Sequence, residues 1–580
     1  MTQSAKRTLL AAVAGLCLGC MGRIGDSSKR SDGPAADTRP SATDMHRLSA
    51  AQYRSTLLDL FAGISGLDVD AVAGDALKRL PSDGLQNQPY TRMDTRLSPP
   101  HVQAYFDVAD VIARQFEASA DARGALIGDC ANEAVLTATC VDSFLDAFAW
   151  RAFRRPLDKE ERDRFQAMND GTHDGPELVR GLVFAALMSP EFLYRVEVRG
   201  APIEGDDRFS LDGYALASRL SYHFWSSMPD EPLFAAAADG TLLTEDGYAA
   251  EVERIFDDPR TRATSETFYR EWLHYDQVGG FKSTAVFEAF ADNSDILADG
   301  PGLLAAMQEE VDLLTRHYTW EVDGNFGDLL RSDISLTSSP TLAALYGVEP
   351  WDGQSEPPQF PAGQRGGLLT RAAFLVTGTH ETNPVLRGAI VRRRILCTNL
   401  VQPAPSQLPP GSLDPPEFEA DMTTRQRYEE KTKNEPCHSC HAKMNPIGFV
   451  LERFDALGRY RTQERILDAL TGEQLALLDI DTNAVPELEE GDMTSISQPA
   501  ELMDRVASTG LAEGCFAQNY FRFTYGQQET KDDDATIARV RAALANAGDG
   551  GEGPGSLRAA LRAIALDPSF SQRVVGARDQ

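Results

Sequence analysis

Ser49-Ala-Ala-Gln-Tyr-Arg-Ser-Thr-Leu-Leu-Asp-Leu-Phe61 is the stretch whose reading decides the fold class. Ser49 followed three residues later by Gln52 is a capping box, the reciprocal side-chain arrangement that satisfies the first free N–H groups of a helix. Tyr53, Leu57, Leu60 and Phe61 then recur at i, i+4, i+7 and i+8, one apolar stripe at helical period. The pattern repeats along the chain. Ser98 before Pro99 and Pro100 predicts a second helix start, with Tyr105, Val108, Ile112 and Phe116 on one face. Val141 to Phe153, Glu160 to Met168, Leu178 to Met188, Tyr214 to Trp225, Glu251 to Phe256, Thr264 to Tyr275 and Leu303 to His317 continue it. Alternating runs are scarce, so the expectation is a mainly all-α chain of stacked helical units, with a small hairpin near Ile466 to Ile480.

The chain has 580 residues, 42% of them hydrophobic, enough for several packed cores. No apolar run reaches the roughly 18–20 residues of a membrane span. The net charge of −31 argues against a nucleic-acid partner, because phosphate binding needs concentrated Lys and Arg. It leaves room for a basic protein partner.

Lys6 and Arg7 precede an apolar stretch from Leu9 to Leu18, the layout of an export signal. Gly19 directly before Cys20 resembles a lipoprotein cleavage site, with Cys17 where a leucine is usual. The expectation is a signal peptide over 1–19, lipidation of Cys20 and a tether over 20–44. That places the chain in the periplasm or at the outer membrane, held by lipid, with secretion as the alternative. Either way disulfides become admissible.

Eight cysteines and nine histidines are present. Cys437-His438-Ser439-Cys440-His441 is a C-x-x-C-H sequence, the attachment pattern of a c-type haem. Two thiols add to the two vinyl groups, and the following His441 is placed to ligate the iron. A zinc site built on Cys437, Cys440 and His438 or His441, and a redox disulfide, are the competing readings. Setting aside Cys17, Cys20, Cys437 and Cys440, four cysteines remain. Cys130 and Cys140 are close enough in sequence to close a small loop, which leaves Cys397 with Cys515, although four cysteines allow three connectivities.

At this point the residues resemble the planctomycete-type cytochrome c-like multidomain family, in which a haem segment accompanies several all-helical domains of unknown function. The haem segment is carried by Arg365-Gly-Gly-Leu-Leu-Thr370, Asn383-Pro-Val-Leu-Arg387-Gly388, Cys437 to His441, and Asn445-Pro-Ile-Gly448 through Glu452 and Asp455 to Gly458-Arg459. Leu48 to Gly63 is similar to the first helical domain. Arg151 to Pro156 and Ser189 to Arg195 are similar to the second. Leu211 to Asp230 with Asp258-Pro-Arg260 is similar to the third, and Cys515 to Gly526 with Leu566-Asp-Pro568 to the last. The chain has Gly526-Gln527 where the family has Gly-Arg, and it has no second C-x-x-C-H. The expected organisation is helical domains over 45–125, 126–200 and 206–340, a cytochrome c-like haem domain over 360–465 and a C-terminal helical domain over 490–575.

The resemblance implies haem binding and an envelope location, and no established reaction. The leading expectation is one covalent haem c on Cys437 and Cys440 with His441 as proximal ligand, in an electron-transfer protein. The alternatives are a haem peroxidase or oxidase with an open distal site, and a non-redox surface scaffold with a structural haem or metal. Met493, in a loop, and His380 are the distal-ligand candidates. Met444 lies on the proximal side and Met503 reads as core. Arg387, Arg459 and Arg461 flank the haem region and suit bidentate binding of propionates. His223, His274 and His317 lie on helical patterns and read as packed or surface imidazoles. Arg151, Arg154 and Arg155 read as partners of nearby acids.

Overall fold

A computed structural model of the chain describes residues 46–84, 89–197, 199–203, 208–276, 280–400, 408, 410–545 and 555–574. The expected signal peptide over 1–19 with Cys17, and the expected lipidated Cys20 and tether over 20–44, lie outside the described residues.

The chain is mainly helical, and the local signals work as read. Helix α1 (Ala50–Leu60) starts at Ser49, whose Oγ accepts from Gln52 N at 3.2 Å while Gln52 Oε1 accepts from Ser49 N at 3.1 Å. Tyr53, Leu57, Leu60 and Phe61 are buried. Helix α2 (Pro99–Ala118) lies against α3 (Gly175–Met188). Tyr53 packs on Tyr105 and Phe192, with ring centroids 4.9 and 5.8 Å away. Each aromatic so buried contributes about 1.5–3 kcal/mol. These residues form a first core that runs from Leu48 to Phe234.

A second, larger core runs from Tyr90 to Phe570. It takes in helices α4 (Gly213–Phe224), α5 (Pro259–Leu273), α6 (Gly300–Arg316), α9 (His438–Val450) and α10 (Leu511–Tyr525), while α7 (Pro384–Ile390) and α8 (Thr424–Thr432) lie beside α9. Phe516, Tyr520 and Phe523 of α10 meet Phe268 of α5 at 5.1–5.5 Å. In its interior, Glu310 of α6 accepts from Arg371 at 3.0 Å and from the Tyr346 hydroxyl at 2.6 Å.

Strands are few and short. The expected hairpin is β5 (Gln463–Leu467) with β6 (Gln474–Asp479), antiparallel. Two pairings were not expected. β1 (His46–Arg47) pairs β2 (Tyr194–Arg195). A three-stranded sheet has the order β3 (Arg199–Pro202), β4 (Arg208–Leu211), β7 (Gln572–Val574), bringing the end of the described chain back to residue 208.

Two disulfides are present, Cys130–Cys140 and Cys397–Cys515. The second closes a separation of 118 residues and ties the segment after α7 to α10. In the chain-entropy model the short loop contributes about 3 kcal/mol and the long one about 5 kcal/mol. Among the described residues no helix is long and apolar enough to cross a membrane.

Candidate functional site

Helices α8 and α9 flank an open groove of about 500 Å³. Met422, Gln426, Glu429 and Lys433 line it from one side, spaced at helical period on α8 and just beyond its ends. His438, His441, Asn445 and Phe449 line it from α9. Thr423 starts α8 with a capping box to Gln426. Cys437 stands immediately before α9, and His441 N donates to its carbonyl at 3.1 Å, so the five residues from Cys437 to His441 make the first turn. Cys437 and Cys440 are half-buried free thiols.

The His441 imidazole is held by a chain of hydrogen bonds whose direction can be worked out. Thr432 Oγ1 donates to Tyr428 O at 2.6 Å, and its proton is thereby spent. It must then accept from Asn445 Nδ2, 2.8 Å away. That turns Asn445 Oδ1 toward His441 Nδ1 at 3.1 Å, and an amide oxygen can only accept. Nδ1 therefore carries the proton, and Nε2 keeps its lone pair, the form in which an imidazole binds a metal.

The position of α9 is set by its far end. Gly448 faces Pro384 and Gly388 of α7 faces Met444, and in each case a Cβ would fall onto the opposing carbonyl. The two glycines permit a backbone-to-backbone crossing. Arg392 Nε donates to Lys443 O at 2.9 Å. Just beyond α9, Glu452 is buried with Arg387 at 3.3 Å, Arg461 at 2.9 Å and the Thr382 hydroxyl at 2.7 Å.

The remaining expected residues are placed elsewhere. Arg387 spends its terminal nitrogens on the carbonyls of Leu375, Leu451, Phe454 and Asp455 besides Glu452, and burial pulls it down to about 10. Arg459 binds Asp455 at 2.6 Å and the carbonyls of Phe290 and Ala291. Neither lines the groove that His441 lines. His380 lines two neighbouring cavities, of about 740 and 270 Å³, and burial lowers its pKa. Met493 is 73% exposed, Met503 is core, and Met444 is buried. The structure thus places Cys437, Cys440 and His441 on one helical turn, while Arg387, Arg459, His380 and Met493 do not line the groove that His441 lines.

Among the described residues no three His, Cys, Asp or Glu side chains converge on a common metal position. His223 is buried beside the Tyr520 hydroxyl, 3.2 Å away, and burial drives its pKa well down. Burial, with Arg394 nearby, takes His274 to about 4. His317 pairs with Glu321 at 2.8 Å. Arg155 pairs with Glu161, whereas Arg154 donates to four backbone carbonyls. Sequence reasoning missed Asn445, Thr432 and Glu452. Only Asn445 left a signal, its i+4 spacing from His441 on a helix.

Fold and site together define a multidomain, mainly helical chain carrying a C-x-x-C-H helix beside an open groove. The chain belongs to the planctomycete cytochrome c-like multidomain family. PSD3, a protein of unknown function (DUF1587), matches residues 46–117. PSD5 (DUF1595) matches 140–197 and PSD4 (DUF1592) matches 211–348, both also described as proteins of unknown function. PSCyt3, a protein of unknown function (DUF1588), matches 365–464, the region that contains Cys437 to His441 and whose model name points to a cytochrome c-like segment. Neither a curated protein nor a solved structure matches the chain.

Proposed function

We propose that the chain is an envelope-anchored monohaem c-type cytochrome that transfers electrons. Cys437 and Cys440 hold the haem through thioether bonds, and His441 Nε2 ligates the iron. The observation that supports this most is the pairing of two unbonded thiols on one helical turn with an imidazole whose Nδ1 is already committed to Asn445. The other described cysteines are in disulfides, so Cys437 and Cys440 stand apart as available nucleophiles. When bound, haem c supplies one-electron exchange between the ferric and ferrous states. The protein's own part is to fix the imidazole tautomer, to hold the thiols in register on the first turn, and to brace that turn from α7. Lipid on Cys20 would hold the chain at the envelope, and the charge of −31 suits a basic redox partner.

The test is a pyridine haemochrome assay on protein matured with the c-haem attachment machinery. Wild type is expected to give one covalent haem per chain, and Cys437→Ser/Cys440→Ser none. Equal covalent haem in the double variant removes the assignment. A six-coordinate low-spin spectrum without CO binding supports electron transfer. A high-spin spectrum with fast peroxide reaction replaces it with a peroxidase.

A further inference from the structure

A second cleft, of about 350 Å³, lies far along the sequence from Cys437, between α1 and α5. It sits where the segments matched by two different family models meet, the kind of boundary at which ligand pockets are common. Its walls are hydroxyl-rich, with Ser49 and Ser55 from α1 and Thr264 and Thr267 from α5. Thr91, Arg92 and the loop Trp225-Ser226-Ser227 close the floor.

Arg92 is the unusual member. It is 7% exposed and makes no ion pair among the described residues. Its guanidinium stacks 3.7 Å from the Phe523 ring centroid, donates to Ser226 Oγ at 2.7 Å, and reaches Phe523 O only at 3.5 Å. Other buried arginines of this chain meet a carboxylate or several carbonyls. Arg371, Arg387 and Arg219 each have a carboxylate, and Arg154 has four carbonyls. The acid nearest in charge to Arg92, Glu271, is committed to Thr91 N and Oγ1. Burial lowers the guanidinium to about 9, so it stays charged near neutral pH.

Two further features point the same way. Gln52, 3% exposed and lining the same cleft, uses Oε1 on Ser49 N and leaves Nε2 without an acceptor. Arg260 lies 3.5 Å over Trp225 at the rim, bound to Asp258 at 2.9 Å. Asp59 is the only carboxylate of the lining, and it accepts from Ser227 Oγ. A buried donor without an acceptor costs roughly 1–3 kcal/mol, and a buried charge without a counter-charge costs more. A ligand that brings acceptors and negative charge removes that cost.

We propose that this cleft binds a small oxyanion-bearing molecule, a carboxylate or a phosphate, with Arg92 as the anchoring cation and the hydroxyls reading the rest of the ligand. The proposal does not depend on haem.

The test is calorimetric titration of the full mature chain with inorganic phosphate, citrate and glucuronate at constant ionic strength, with glucose as the neutral control. Saturable binding of at least one oxyanion, and none of glucose, is expected; phosphate alone marks a phosphoryl ligand, and citrate or glucuronate a carboxylate. Arg92→Gln should weaken that binding at least tenfold, and Asp59→Asn, which keeps an acceptor for Ser227, should tighten it severalfold. Opposite signs cannot come from general misfolding, and if Arg92→Gln does not fold, Arg260→Gln at the rim takes its place with a severalfold loss. No oxyanion binding above the glucose control, or affinities unmoved by these substitutions, overturns the proposal.

Discussion

Along α9 the first turn and the last two turns are built differently. From Cys437 to His441 the residues are exposed or half-buried, while Met444, Asn445 and Ile447 to Val450 are buried. The buried part is held by the Gly388–Gly448 crossing, by Arg392 on the Lys443 carbonyl, and by the Glu452 network just past its end. Among the described residues, the side-chain hydrogen bond that ties the exposed part to another helix is the one from Asn445 to Thr432, which reaches it through His441. The thiols are thus placed by contacts that do not touch them. A helix is stiff enough for that, since fixing two turns fixes the third.

The largest effect should come from the buried end. Glu452→Ala leaves Arg387 and Arg461 without their carboxylate in a closed interior, and breaking a buried pair on one side costs about 3–5 kcal/mol. Urea unfolding of the haem-free chain measures it, and a cost below about 1 kcal/mol means the network does not brace α9. Gly448→Ala comes next. The added methyl meets the Pro384 carbonyl, so α7 and α9 must separate, at about 1–3 kcal/mol for overpacking. Covalent haem yield should fall with it, although residue 448 is two turns from Cys440. At the other end, Cys437→Ser and Cys440→Ser should stay within about 0.5 kcal/mol of wild type in the haem-free chain, as near-isosteric surface substitutions do. If the serine variants lose as much stability as Gly448→Ala, the division between the two ends is wrong.

How far the sequence reaches follows the same division between local and distant causes. Ser49 and Gln52 announce α1 because a capping box is contained in four residues. The β5–β6 hairpin is legible because its strands are separated by one short turn. The β4–β7 pairing is not, since Arg208 and Val574 share no local period. At the site, Cys437, Cys440 and His441 are legible because haem attachment is written in their spacing. Thr432 is not, because it reaches Asn445 from a different helix. Arg387 and Arg459 were expected to face propionates because they flank the motif in sequence. Proximity along the chain does not say which way a guanidinium points, and the structure gives both arginines a different duty, on Glu452 and Asp455 and on backbone carbonyls. His380 and Met493 show the same gap: a ligand-bearing residue type in a loop carries no information on which cavity the loop borders.

A small effect on stability, and the one that separates bracing from chemistry, belongs to Asn445. It sits at the junction of the two ends, buried but bonded to the exposed imidazole. Asn445→Leu keeps the branched shape and deletes both hydrogen bonds, so it should cost only about 1 kcal/mol. Its effect on His441 should be larger than that figure suggests, because nothing else among the described residues bonds Nδ1. In the haem-free chain, nitrogen NMR should show Nδ1–H as the dominant tautomer in wild type and a mixture in Asn445→Leu. In haem-loaded protein the potential should move in opposite directions for Asn445→Leu and Asn445→Asp, since a carboxylate is a stronger acceptor and makes the ligating nitrogen more basic. A merely structural asparagine would move stability in both variants and leave tautomer and potential where they were. An unchanged tautomer in Asn445→Leu would break the link between the buried end of α9 and the group that its first turn presents.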